Sequence, residues 1–237
     1  MCTVVIRVPA SPDEPVRVLA VRDEDPTREW QPLGASWPDT HPGVVGVRDA
    51  RAGGAWLAAD SERGRLSVLL NRADVVHIPQ DALTTRGALV LASITGIPPE
   101  GLPSTHGFNL VEVDGSSARV ITWDGDALRT TDLAPGTHMI AHDDVDDPGT
   151  GRIQRWLPEF RDAPTDGARW WMPWLEVLAR SSALPAADDR AIIRDNRAIG
   201  YPTLSLLVCA AEVTADAVDV RYAELAEPGA WNAIDLV

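Results

Sequence analysis

The feature that most constrains the fold is a series of short β-branched runs at both ends of the chain, each closed by turn residues. Residues 2–8, Cys-Thr-Val-Val-Ile-Arg-Val, make the first such run, a composition suited to a buried strand. A Pro- and Asp-containing turn cluster at 9–15 separates it from 16–21, so the two predict a hairpin with Arg22 and Asp23 ending its second strand. Antiparallel pairing then carries Cys2 towards those two residues. Runs 55–59 and 65–70 predict a second pair, the latter ending at Asn71. Runs 108–114, 118–122 and 127–133 are divided by Asp114-Gly115 and Asp124-Gly125, strong hairpin signals. Run 136–142, ending at His142, is read as closing that meander. Runs 203–210 and 216–224 predict a last hairpin.

Between these runs the period changes. Leu83, Ala88, Leu91 and Ile94 have helical spacing over 81–95, which stops before Gly96 and Pro98-Pro99. Residues 153–182 read as helical with a break near 164–167, and 188–197 as a weaker helix. The stretch 25–52 is rich in Pro, Asp and Trp and shows no period, which predicts a long surface loop, often a functional feature. Strands at both ends, helices in the middle and hairpin connections predict an α+β fold with mainly antiparallel pairing. At 237 residues a single domain over 2–237 is expected.

Composition narrows the function. The formal net charge is −14 with no run of positive charge, which argues against nucleic acid or an anionic membrane surface as partner. All basic residues are Arg, so no lysine is available for a Schiff base or as general base. Two cysteines, Cys2 and Cys209, make no disulfide framework. No secretory signal and no membrane-length apolar run is read, and a cytoplasmic location is expected. The oligomeric state stays open.

Cys2 is the sharpest chemical feature. Removal of Met1 would place on it an α-amine that titrates at about 7.7–8.0, able to accept the thiol proton, so nucleophile and base would share one residue. Position alone favours a buried strand residue, the commoner role of a free cysteine. Context reverses this. Met-Cys-Thr, then Leu19-Ala-Val-Arg-Asp-Glu24, Gly53-Gly-Ala-Trp-Leu57, Gly64-Arg-Leu-Ser-Val-Leu-Leu-Asn71, Arg86-Gly-Ala-Leu-Val90, Gly107-Phe-Asn-Leu110 and Leu133-Ala-Pro-Gly-Thr137 follow in order. In these the chain resembles the NRDE, or transport-and-Golgi-organisation-like, family over about 140 residues.

The resemblance implies a four-layer αββα sandwich of the N-terminal-nucleophile hydrolase type. It implies a reaction less strongly, since relatives are linked to haem trafficking and lipid metabolism. The chain is more distantly similar to cysteine acylases that cleave bile-salt and penicillin V amides. That similarity places Cys2, Arg22, Asp23 or Asp25, and Asn71 at catalytic positions. Arg22 would lower the thiol pKa, the aspartate would orient the amine, and Asn71 would donate to the oxyanion.

Three residues depart from the family pattern: Val21, where the family has Asn; His142, where relatives carry an Asn; and Tyr201-Pro202-Thr203, where an Arg or Asn-Thr pattern is expected. His142 can serve instead as an oxyanion donor or proton carrier. His138, His142 and the aspartates after them invite a metal reading, but Asp147-Pro148-Gly149 is turn chemistry and a solvated acidic loop is the simpler account. Trp170, Trp171 and Trp174 read first as helix packing, and Cys209 as core.

The expected function is a cysteine-nucleophile enzyme acting on a small acyl or amide substrate by hydrolysis, acyl transfer or cyclisation, without cofactor or metal. Its catalytic set is Cys2, Arg22, Asp23, Asn71 and His142. The rival is a non-catalytic binding or trafficking protein for haem or another hydrophobic ligand, in which a thiolate can ligate iron.

Overall fold

A computed structural model describes residues 2–75 and 78–237. β1 (Thr3–Val8) and β2 (Val16–Glu24) form the expected hairpin, with Thr3 opposite Val21 and Arg7 opposite Arg17. β3 (Trp30–Gly34), β4 (Val44–Asp49), β5 (Ala55–Asp60), β6 (Arg65–Asn71), β7 (Phe108–Asp114), β8 (Ser117–Trp123) and β9 (Leu128–Asp132) lie side by side in sequence order as one antiparallel sheet. β10 (Gly136–Ile140) pairs with β1, β11 (Leu204–Val213) with β2, and β12 (Val218–Glu224) with β11, giving a second antiparallel sheet of order β10-β1-β2-β11-β12. The described helices are α1 (Gly87–Ile94), α2 (Gly151–Asp162) and α3 (Met172–Ser181).

The two-residue period of the strands sorts side chains into layers. Cys2, then Val4 and Ile6 of the first strand, and Val16, Val18 and Ala20 of its partner face Val68, Leu70 and Val111 of the other sheet. The alternate residues Val5, Leu19 and Val21 face Trp156, Phe160 and Trp174 of α2 and α3. On the far side, Leu69, Phe108 and Leu110 meet Val90, Leu91 and Ile94 of α1. The result is helix, sheet, sheet, helix, the αββα layering expected.

Several elements differ from expectation. The stretch 25–52 is not a structureless loop, because it supplies β3 and β4 at one edge of the larger sheet. Pro32 and a register shift in β3 hide its period, as suits an edge strand. β10 does not close the meander. It crosses to the smaller sheet and ends at Ile140, leaving His142 beyond the strand. In 81–95 only Gly87–Ile94 is α-helical. The expected helix over 188–197 is extended and turn structure followed by a 3-10 turn, Asn196–Ile199. There the Ile192 N–H is taken by Ser181 Oγ at 2.7 Å and the Arg194 N–H by Ser205 Oγ at 2.9 Å, so lateral hydrogen bonds replace helical ones. Trp170, Trp171 and Trp174 are buried and pack edge to face, and Cys209 lies in the inter-sheet core. No helix among the described residues is long and apolar enough to cross a membrane.

Candidate functional site

Cys2 precedes β1 and shares the inner face with Val4 and Ile6, so its side chain points between the sheets. Hairpin register sets it against the end of β2: the Asp23 N–H lies 3.4 Å from Cys2 Sγ, and the thiol donates to Asp23 O at 3.6 Å. The thiol lines a cavity of about 230 Å³ together with Arg22, Asp23, Trp56 and Asn71. Thus Cys2, Arg22, Asp23 and Asn71, expected from three separate strand ends, share one cavity. His142 does not line it; its Nε2 lies 3.3 Å from Asp143 Oδ2. Burial pulls the His142 pKa down, so the ring is neutral near pH 7.

Arg22 is 2% exposed on the inner face, its guanidinium over the Trp30 ring with 5.6 Å to the centroid and its Nη2 3.7 Å from Glu24. Its Nη1 is buried without a hydrogen-bond partner among the described residues. Arg22 acts on the thiol in the expected direction, but burial outweighs it: the thiol pKa is raised, first by desolvation and then by Asp23. The charge of Arg22 thus opposes the rise without cancelling it.

Asp23, next along β2, is buried as well. Its carboxylate accepts from Ser205 Oγ of β11 at 2.6 Å. Beneath it Arg152, in the first turn of α2, is 1% exposed and donates to Thr3 Oγ1 at 2.9 Å. Burial lowers the Arg152 pKa to about 10, and Asp23 opposes that shift. Asp25 is half-buried and accepts from the Thr27 N–H and hydroxyl, so of the two candidate aspartates Asp23 is the one at the thiol.

The cavity's other wall is built by glycines. A Cβ on Gly54 would lie 2.3 Å from the Gly87 carbonyl carbon, so the start of β5 and the N-terminus of α1 touch backbone to backbone. This contact brings Arg86 and Gly87 to the cavity. In the sequence Arg86 stands out only as part of a family pattern, and Arg152 and Ser205 do not stand out at all. Nothing local marks the last two, because their roles depend on partners far away in sequence.

His138 does not assemble a metal site with its neighbours: Nδ1 contacts Asp146 Oδ2 at 2.8 Å and Nε2 contacts Ala134 O at 2.8 Å. No cluster suited to a metal occurs among the described residues. A larger cleft of about 340 Å³ lies on the outer face of the seven-stranded sheet. Its polar groups satisfy one another, since Ser93 Oγ donates to Glu112 at 2.6 Å and Arg119 Nε to the other oxygen at 2.6 Å. The thiol cavity, with an unpartnered buried guanidinium nitrogen, is the better candidate for chemistry.

Fold and site together define an α+β protein of four layers, with a thiol at the head of the first strand facing an inter-sheet cavity. The chain belongs to the Transport and Golgi organisation 2 family, whose model matches residues 1–168. No curated protein matches it.

Proposed function

We propose that this protein is a cysteine-nucleophile enzyme acting on an amide, ester or thioester carbonyl through an acyl-Cys2 intermediate. The observation that carries the reading is the convergence of Cys2, Arg22, Asp23 and Asn71 on one cavity. The αββα layering and a first strand beginning beside Cys2 support the likeness to N-terminal-nucleophile hydrolases. With Met1 removed, the Cys2 α-amine takes the thiol proton as sulfur attacks the carbonyl carbon. A raised thiol pKa makes such an adjacent base necessary. The oxyanion is met by the Asn71 amide. Collapse expels the amine, alcohol or thiol, which leaves with the proton held by the α-amine. Water then hydrolyses the thioester, or an amine accepts the acyl group. The reading leaves His142 outside the reaction.

The haem-binding alternative gains no observation. The tryptophans that would stack on a planar ligand are packed in the core, and the cavity is lined by charged side chains.

Intact-mass and peptide-mapped spectrometry after exposure to a thiol-directed acylating probe tests the proposal. The expected product has lost Met1 and carries one adduct on Cys2, absent in Cys2→Ala. Retention of Met1, or an inert Cys2 in protein that has lost Met1, would overturn it.

A further inference from the structure

The thiol cavity holds three guanidiniums, and two have carboxylate partners. Arg28 Nη2 lies 2.5 Å from Asp49, and Arg22 Nη2 lies 3.7 Å from Glu24. Arg86 has none among the described residues; its one hydrogen bond runs from Nη1 to Gly107 O at 2.9 Å. That bond fixes the side chain by one nitrogen and leaves the rest of the planar fork for a ligand. Burial lowers the Arg86 pKa, and the charges of Asp74 and Glu24 oppose that shift.

Two further features lie on the same cavity. Arg86 is the N-cap of α1, and among the described residues no side chain caps that helix; Arg86 and Gly87 line the cavity, which sets the positive end of the helix dipole beside it. The Gly54–Gly87 contact brings that end in close. Arg22 lines the same cavity, and its Nη1 is buried without a hydrogen-bond partner among the described residues. An oxyanion would complete all three, since it pairs with the guanidinium fork and accepts from helix N–H groups.

We propose that Arg86 and the first turn of α1, facing Arg22, form a carboxylate subsite, so that the substrate is a small acyl compound bearing a carboxylate. This rests on the reading of Cys2 as nucleophile for the word substrate, but the binding it predicts does not need a reactive thiol. The cavity of about 230 Å³ falls below the usual range for drug-sized ligands, which favours a compact acid over a steroid or long acyl chain.

The test compares binding of succinamate, which carries an amide and a carboxylate, with that of succinamide, which replaces the carboxylate by a second amide. Calorimetry on the full chain should show succinamate at least about tenfold tighter, in line with a charge-assisted bidentate pair. Arg86→Gln should remove that preference, Arg86→Lys should restore part of it, and Cys2→Ala should retain it. Labelling of Cys2 by iodoacetamide in Arg86→Gln checks that the cavity survives the change. Equal affinities, a preference unchanged by Arg86→Gln, or no binding of either compound overturns the subsite. A succinamate preference beside an inert Cys2 would keep the subsite and discard the enzyme.

Discussion

Arg152 occupies the second position of α2 yet is 1% exposed, its Nη1 on Thr3 Oγ1 directly after Cys2. A buried guanidinium is tolerated where a carboxylate offsets its desolvation, and Asp23 does so here. Arg152→Met should therefore cost about 3 kcal/mol in urea unfolding, because it leaves Asp23 under-compensated; an unchanged midpoint would refute that coupling. His138 provides a pH-dependent counterpart. Its hydrogen bond to Asp146 raises its pKa above the ordinary value. A raised pKa means the contribution is complete below the unfolded histidine range, about 6.5, and is lost as pH rises through the higher folded value. The Asp146 carboxyl, lowered by His138 against the opposing effect of burial, adds a separate loss in acid below its ordinary range. In His138→Gln, stability at about pH 5.5 should fall by about 1.5 kcal/mol. The decline expected in the parent from there to about pH 8.5 should flatten. Denaturation midpoints across that range measure both effects.

At the scale of elements, what the sequence makes legible follows from how local each signal is. The β1–β2 hairpin was readable because its β-branched runs and Pro-rich turn are contiguous, and with it came the meeting of Cys2 with Arg22 and Asp23. Segment 188–197 was not, because Ala191, Ile192 and Ile193 are buried by side chains distant in sequence and their neighbouring N–H groups bond to Ser181 and Ser205. Asn71 was placed by its strand, while Arg86 gained significance only once α1 touched β5. That contact yields a direct prediction. Gly54→Ala puts a methyl group 2.3 Å from the Gly87 backbone, which cannot rotate away as a side chain would. The N-terminus of α1 must then shift, at about 1–3 kcal/mol, and Cys2 labelling should change with it. Gly53→Ala makes the contrasting case. Its φ is +74° with open space around the Cβ position, so the cost is backbone strain of about 1–2 kcal/mol and the cavity keeps its shape.

For the whole molecule, the layers were foreseeable but not the route of the chain through them. A strand period of two says that each strand has two faces, and both are apolar in β1 and β2, which already requires cover on each side. It does not say which sheet β10 joins; tertiary pairing with β1 decides that. The consequence is that β10, β1, β2 and β11 are held between two cores, one shared with the larger sheet and one with α2 and α3. Damage to the outer core should thus be felt in the inner one. Trp174, fully buried with edge-to-face contacts to Phe160 and Trp170, is the place to test it. Trp174→Ala should cost about 3–5 kcal/mol. Denaturation followed by tryptophan fluorescence and by far-ultraviolet circular dichroism should show one shifted transition with coincident midpoints. Two separated transitions would instead mean that the helix layer melts away from a persisting pair of sheets. The chain would then be two cooperative units, and the thiol cavity, built between the sheets, should keep its Cys2 reactivity after the first transition.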